Sequence, residues 1–358
     1  MNALAASTTD HGLLALALAL AFVAGALGTW GMRRYALQRQ LIDHPNERSS
    51  HALPTPRGGG MAIVGTVLLG LTAWAVWQPS ARGLWVALVP PGLAVAAVGF
   101  LDDHGHVPAR WRLLVHFGAA AWATFALGSV PALQLGEWRW QWGVLGLPVS
   151  VLLAVWLLNL YNFMDGIDGI AGAEAVFVGV AAAALMGPDS PIAVALLLLA
   201  AASAGFLVFN WPPARIFMGD VGSGFVGLML AVLLIGADAQ GLLPIWSGMI
   251  LMGVFVVDAT VTLLRRLARG ERVHEAHRSH AYQWSARRFG RHRPVTVATV
   301  VIDVGWLLPW AWWAAQSPRN GLPAAAAALL PLAALAFWLG AGRAETSTPA
   351  AAGTGPRA

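Results

Sequence analysis

Apolar residues run along this chain in stretches long enough to cross a bilayer, one after another, with only short polar breaks between them. A spanning helix needs about 20 mostly apolar residues. Eleven such runs can be read, near 12–32, 58–77, 84–101, 113–128, 143–160, 168–186, 191–209, 222–236, 243–264, 294–315 and 322–341. Only 11% of the 358 residues are charged and 58% are hydrophobic, whereas a soluble domain carries roughly a quarter charged residues. One globular core cannot bury so much apolar surface, and lipid is the alternative solvent. The expected fold is therefore all-α and polytopic, with about 11 transmembrane helices in a single membrane-embedded domain over 1–341. A tail over 342–358, rich in Ala, Thr, Pro and Gly, is expected to be disordered. The first run has no basic segment before it and is long enough to span, so it reads as a retained helix and not as a cleaved signal peptide.

The loops between the runs alternate between two sets. Counted over those sets, 19 arginines fall in the one that includes the C-terminal tail and three (Arg82, Arg139, Arg319) in the other. The positive-inside rule puts the first set in the cytoplasm, with the N-terminus outside and the C-terminus inside. Tryptophans such as Trp74, Trp77, Trp310 and Trp313 fall near predicted outer helix ends, as an aromatic belt would. Topology thus accounts for the basic pI, and no nucleic-acid partner is implied. The chain has no cysteine, which excludes disulfides and thiolate metal sites.

Asp102, Asp103, Asp165, Asp168 and Asp220 all fall in or beside the arginine-rich loops. Carboxylates at helix ends in a membrane must be paired, hydrated or metal-bound, so four segments stand out. Asp102-Asp103-His104-Gly105-His106 closes the third run; taken alone it fits a hydrated helix end as well as a site for Mg²⁺ and phosphate. Asn159, Asn162, Asp165 and Asp168 recur every third residue, which on a helix makes a slanted polar stripe. Gly166 and Gly169 are expected to break the helix there. Oxygen donors without cysteine suit Mg²⁺, with Mn²⁺ as the alternative. In Phe217-Met218-Gly219-Asp220-Val221-Gly222-Ser223-Gly224 the glycines are expected to offer backbone amides to an anion at a helix N-terminus, and Phe217 a ring face to a base. The loop 265–293 carries nine arginines together with His274, His277, His280, Tyr282 and Gln283. It fits diphosphate binding and also a basic loop held by anionic lipid. Inside predicted spans, Asp258 is expected to pair with Arg265 or Arg266, and Asp303 needs an interhelical partner that the sequence does not identify.

Taken in order, D-D at the end of a span, N-x-x-N-x-x-D-G-x-D-G, F-M-G-D-x-G-S and the arginine–histidine loop resemble the polyprenyl-phosphate N-acetylhexosamine-1-phosphate transferases, the superfamily of WecA, TagO and MraY. The likeness runs from about Pro54 to Gln283. The stretches D-D-H-G-H-V-P-A-R-W-R-L-L and H-R-S-H-A-Y-Q look most like the WbpL-type branch, which starts O-antigen or related surface polysaccharides. The resemblance implies a Mg²⁺-dependent enzyme of a bacterial inner membrane, with its active site on the cytoplasmic face. It implies undecaprenyl phosphate and a UDP-N-acetylhexosamine as substrates, the lipid bilayer as setting, and leaves a homodimer open. It implies Asp220 and Asn162 as metal ligands and Asp102, Asp103, Asp165 and Asp168 as catalytic carboxylates. For substrate binding it implies Arg57, Asn159, Phe217, Arg278 and His280. Three departures argue against a muramyl-pentapeptide substrate: no lysine follows Asp-Asp, where His106 stands near that place; H-A-Y-Q replaces a triple-histidine loop; and His277 replaces an acid. The rival reading is an ion-coupled secondary transporter with acids at broken helices, whose site would lie near the midplane.

Overall fold

The computed structural model describes residues 11–45, 53–105, 107–128, 130, 133–271 and 277–344. It is all-α apart from two short antiparallel ladders, β1 (Ile42–Asp43) with β2 (Thr55–Pro56) and β3 (Leu133–Leu135) with β4 (Trp138–Trp140). The helices are α1 (His11–Gln38), α2 (Gly60–Trp77), α3 (Arg82–His104), α4 (Ala109–Leu127), α5 (Gly146–Met164), α6 (Ile170–Met186) and α7 (Pro191–Asn210). They continue as α8 (Asp220–Ala239), α9 (Ile245–Leu251), α10 (Gly253–Ala268), α11 (Ala281–Phe289), α12 (Arg293–Ile302), α13 (Leu308–Gln316) and α14 (Gly321–Leu339).

Each of the eleven apolar runs is helical. Eight helical stretches among the described residues are long and apolar enough to cross a membrane, and the pair α9–α10, bent by 80°, makes a ninth if counted as one broken span. The remaining two runs are α4, which carries Arg110, Arg112 and His116 in its first turns, and α6, which is 17 residues long. The helix boundaries follow local rules. Pro191 stands in the first turn of α7 behind Ser190, whose hydroxyl accepts the amide of Ala193 at 3.0 Å. α4 stops at Gly128 in the left-handed conformation. A second predicted span is interrupted: between α12 and α13 lies a single π-helical turn, Asp303–Leu307. Asp303 there abuts Glu174 of α6, both fully buried, which supplies the interhelical partner that the sequence left open.

The axis of the bundle is α8, almost wholly buried, whereas α1 and α14 show most of their surface. α3 and α5 flank α8, with α2, α4, α6 and α7 outside them. The approach of α3 is closest at Gly99, where an added Cβ would lie 2.5 Å from the carbonyl oxygen of Asp220. No side chain fits there, and this contact sets the C-terminal turn of α3, with its two aspartates, against the first residues of α8.

Candidate active site

All the segments singled out by sequence converge on one end of the bundle, around the N-terminus of α8. The residue before that helix, Gly219, has φ +77°, and an added Cβ there would stand 2.5 Å from Oδ2 of Asp103. The free amides of α8 therefore face Asp103. Its Oδ1 accepts the amide of Asp220 at 3.1 Å and its Oδ2 that of Val221 at 3.2 Å. Asp103, 5% exposed, thus caps α8 from another helix, and Arg57 lies near enough for its charge to be felt there. This corrects the expectation that the glycine-rich turn would offer its amides to an anion. The first two are taken by Asp103, and those of Gly222 and Ser223 donate to the carbonyl of Gly219 at 3.0 Å each.

Asp220 is held from two sides. Asn162 donates to its Oδ1 at 3.0 Å and also to the Ser223 hydroxyl at 2.9 Å. On the other side, Nη1 of Arg112 lies 3.0 Å from Asp220 Oδ2 and 2.6 Å from Asp102 Oδ2. The second oxygen of Asp102 accepts the amide of Val107 at 2.8 Å. Arg112 was missed as a functional residue in the sequence. It stands in the quoted R-W-R stretch, and the signal that could have found it is an arginine opening a helix directly after a pair of acids at the end of the previous one.

The polar stripe divides in two. Asn159 and Asn162 lie on α5, where Asn159 donates to the carbonyl of Val155 at 2.7 Å. Asp165 follows the last turn of α5, and Asp168 lies in the turn before α6, whose first residue follows Gly169 with φ +76°. The helix break expected at the glycines is present. Asp165 is half-buried. Burial first, and then the carboxylates of Asp220, Asp103 and Asp168, push its carboxyl well above the ordinary range. Asp168 ties three segments together: its Oδ1 is 2.9 Å from Nδ1 of His292, its Oδ2 accepts the amide of Ala214 at 3.0 Å, and its carbonyl accepts the Thr296 hydroxyl at 2.7 Å. Asn210, a second residue without an assigned role in the sequence, staples the same loops by accepting the amide of Gly169 and donating to the carbonyl of Ile216.

Phe217 is partly exposed, and its backbone is sewn to the P-T-P-R-G-G-G segment. Its amide donates to the Pro56 carbonyl at 2.8 Å, and its own carbonyl accepts the amide of Gly59 at 2.9 Å. Arg57 is thereby placed beside Phe217 and Asp103.

The basic loop is partly helical. The loop reading of 265–293 missed α11, whose start is built on Asp258. That carboxylate accepts the amides of Ala281 at 2.8 Å and Tyr282 at 2.9 Å and the hydroxyl of Thr262 at 3.1 Å. The expected pairing of Asp258 with Arg265 or Arg266 does not form: Arg266 pairs with Glu271 at 3.3 Å and Arg265 donates to the Ala341 carbonyl at 2.6 Å. His280 is 2% exposed, 3.4 Å from Asp258 and stacked on Tyr282, so in this conformation it stands in the wall and not on the surface. The Tyr282 hydroxyl donates to the carbonyl of Phe163 at 2.9 Å, which fastens the loop to the end of α5. His277 is lowered to about 3 by burial, then by the charges of His280 and Arg266. That shift favours the neutral form of His277. Arg278 is partly exposed, and its carbonyl accepts from Arg287 at 2.9 Å. His106, His274 and the tail from 345 onward lie outside the described residues.

The donor set tests whether a cation fits. Oxygens of Asp102 and Asp220 come close enough to share one guanidinium nitrogen, and the Asn162 amide reaches Asp220. No cluster of three or more His, Asp or Glu side chains in a metal-binding arrangement occurs among the described residues. Two hard carboxylates, joined by the Asn162 carboxamide only if it turns its oxygen and not its nitrogen to the ion, are too few for an all-protein cage. They match a Mg²⁺ ion that takes one or two carboxylates and fills its shell with water and substrate phosphate.

Comparison with known proteins agrees with the resemblance. Residues 85–238 match the family described as Glycosyl transferase family 4. The chain is 30% identical to a probable undecaprenyl-phosphate N-acetylglucosaminyl 1-phosphate transferase of Bacillus subtilis, over 70% of this chain and 71% of that protein. It is 28% identical to a phospho-N-acetylmuramoyl-pentapeptide-transferase of Synechococcus, over 84% of this chain and 91% of that one. With a decaprenyl-phosphate N-acetylglucosaminephosphotransferase of Mycobacterium tuberculosis it shares 29% identity, over 85% of this chain and 82% of the relative.

Proposed function

This chain belongs to glycosyl transferase family 4, within the polyprenyl-phosphate N-acetylhexosamine-1-phosphate transferase superfamily, and on that premise we propose that it transfers an N-acetylhexosamine 1-phosphate from a UDP-sugar to undecaprenyl phosphate and releases UMP. The observation that carries this reading is the meeting of Asp102, Asp220, Asn162 and Arg112 at one end of a multi-pass bundle. A lipid acceptor cannot leave the bilayer and a nucleotide sugar cannot enter it, so the reaction needs a site at a membrane face. An apolar groove lined by Phe117, Ala121, Leu147, Pro148, Val151 and Leu152 lies between α4 and α5, the two helices that also carry Arg112 and Asn162. It suits a prenyl chain whose phosphate reaches that end.

In the reaction an oxygen of the acceptor phosphate attacks the β-phosphorus, the bond to UMP breaks, and UMP leaves with the bonding pair. A phosphate monoester has a second pKa near 6, so the nucleophile is ionised without help. The geometry agrees: both oxygens of Asp103 hold amides of α8, and those of Asp102 hold the Val107 amide and Arg112. These aspartates position; they do not take a proton. Asp220, Asp102 and Asn162 would hold Mg²⁺, which supplies charge neutralisation at the diphosphate. Arg57, Phe217 and Arg278 would grip the nucleotide diphosphate, with Asp165 and Asp168 as the carboxylates of the same site. The transporter reading loses ground, because the acids gather at one end of the bundle and not at its middle. The arginine-rich loops support, by the positive-inside rule, a cytoplasmic position for this end in a bacterial inner membrane, and the product would start an O-antigen or related polysaccharide.

The test is a donor panel of UDP-GlcNAc, UDP-GalNAc, UDP-QuiNAc and UDP-FucNAc with undecaprenyl phosphate, Mg²⁺ and the purified protein. A lipid-linked product from at least one donor is expected; none from any donor sinks the proposal.

A further inference from the structure

Arg112 contacts the two acids in an uneconomical way. A guanidinium has five N–H donors in a planar fork and binds a carboxylate best with two of them. Here one nitrogen, Nη1, serves both Asp102 and Asp220, at 2.6 and 3.0 Å. Nε and Nη2 make no hydrogen bond among the described residues, and the side chain is a third exposed. A permanent clamp would spend its fork on the carboxylates. This one leaves Nε and Nη2 unspent on a side chain a third exposed, and so available to a phosphate. The two carboxylates also stand in hydrogen-bonding range of each other, and side by side they need a cation or a proton between them.

We propose that Arg112 is the resident counter-ion of Asp102 and Asp220, which yields the two acids to a divalent cation and turns its fork to phosphate. The inference rests on the transferase reading only for the identity of that phosphate. Guanidinium and divalent cation compete for the same two oxygens, so each weakens the other. Couplings of this kind are commonly between fivefold and about a hundredfold. The exchange would keep the acids from holding a metal firmly until substrate phosphate arrives to take both the metal and the arginine.

The full chain in detergent is titrated with Mn²⁺ alone, read by electron paramagnetic resonance, in the wild type, Arg112→Gln and Arg110→Gln. Arg110 lies two residues away and forms no ion pair among the described residues, so it controls for the mere loss of a positive charge. Arg112→Gln is expected to bind Mn²⁺ about tenfold more tightly than the wild type, with Arg110→Gln close to the wild type. Equal or weaker binding by Arg112→Gln, or equal tightening by both variants, overturns the proposal. A second measurement needs no variant: phenylglyoxal labelling of the wild type, mapped by peptide mass spectrometry, should rise at Arg112 and not at Arg110 when Mn²⁺ is added. Labelling of Arg112 that stays level or falls contradicts the exchange. UMP release is measured on the same wild-type preparation. Its failure would strike the transferase reading and leave the cation exchange standing.

Discussion

Asp103 and Asp258 do the same job at two corners of the molecule. Each is a carboxylate on one helix that accepts the first amides of another: Asp103 those of Asp220 and Val221 at the start of α8, Asp258 those of Ala281 and Tyr282 at the start of α11. Their surroundings differ. Around Asp258 the remaining groups are a threonine hydroxyl and a histidine, so the carboxylate is spent within the protein and only 4% exposed. Around Asp103 stand three more carboxylates, those of Asp102, Asp165 and Asp220, with one guanidinium bound to two of them. One corner balances its charge internally. The other keeps an excess of negative charge at an open end, which suits cationic and phosphate chemistry. The same capping device therefore reads as framework in one place and as the support of the proposed site in the other.

That contrast can be broken by mutation. The largest effect is expected at the charged corner. Asp220→Asn and Asp102→Asn should each lower kcat by about a thousandfold while leaving the thermal midpoint nearly unchanged, and the loss should persist from about pH 6 to about pH 9. Recovery of Asp102→Asn at high pH would return a base role to that residue. At the balanced corner the effect should be on stability. Asp258→Ala leaves two amides and a hydroxyl unpaired, and should cost about 3 kcal/mol, seen as a lower midpoint and as fast hydrogen exchange in α11. A folded Asp258→Ala with normal exchange would dissolve the distinction. Gly219→Ala sits between the two cases. It forces a Cβ against Asp103 at positive φ and should cost about 1–2 kcal/mol, with activity falling more than stability because the acids shift.

The smallest effect is at Asp165 and has the opposite sign. Its carboxyl is raised in the folded protein by burial and by its acidic neighbours, so ionising it at neutral pH works against folding. Asp165→Asn should therefore raise the thermal midpoint at pH 7.5. The gain should shrink as pH falls, because the wild-type group is then neutral in the folded state, and should vanish once it is neutral in the unfolded chain as well, near pH 4. A gain that does not depend on pH would contradict the charged crowding around this residue.

The spans were legible because a long apolar run reports on its own environment, and each proved helical. α11 was not legible, because its N-terminus is completed by Asp258, in an earlier helix. Only Gln283, whose side chain takes the amide of His280, and Gly290 at the other end marked it locally. At the site, the types and order of the residues pointed to Asp102, Asn162 and Asp220, but not to what each one holds. Arg112 carried no signal by itself, since its partners lie on α3 and α8. The amides of the glycine-rich turn looked open to an anion because nothing in that segment announces that Asp103, far upstream, fills them. Asp258 lay one to two turns from two arginines, yet it turned to backbone amides, which bind a buried carboxylate with less loss of side-chain freedom. Glu174 became visible only when α6 packed beside Asp303.

The central claim is that the acid–arginine corner transfers a sugar phosphate. UMP release from a UDP-N-acetylhexosamine, measured with undecaprenyl phosphate and Mg²⁺ in parallel preparations of wild type and Asp220→Asn of equal thermal midpoint, tests it most directly. The account predicts UMP in step with lipid-linked sugar from the wild type and almost none from the variant. Equal release by both proteins, or none by the wild type with any donor of the panel, would contradict it.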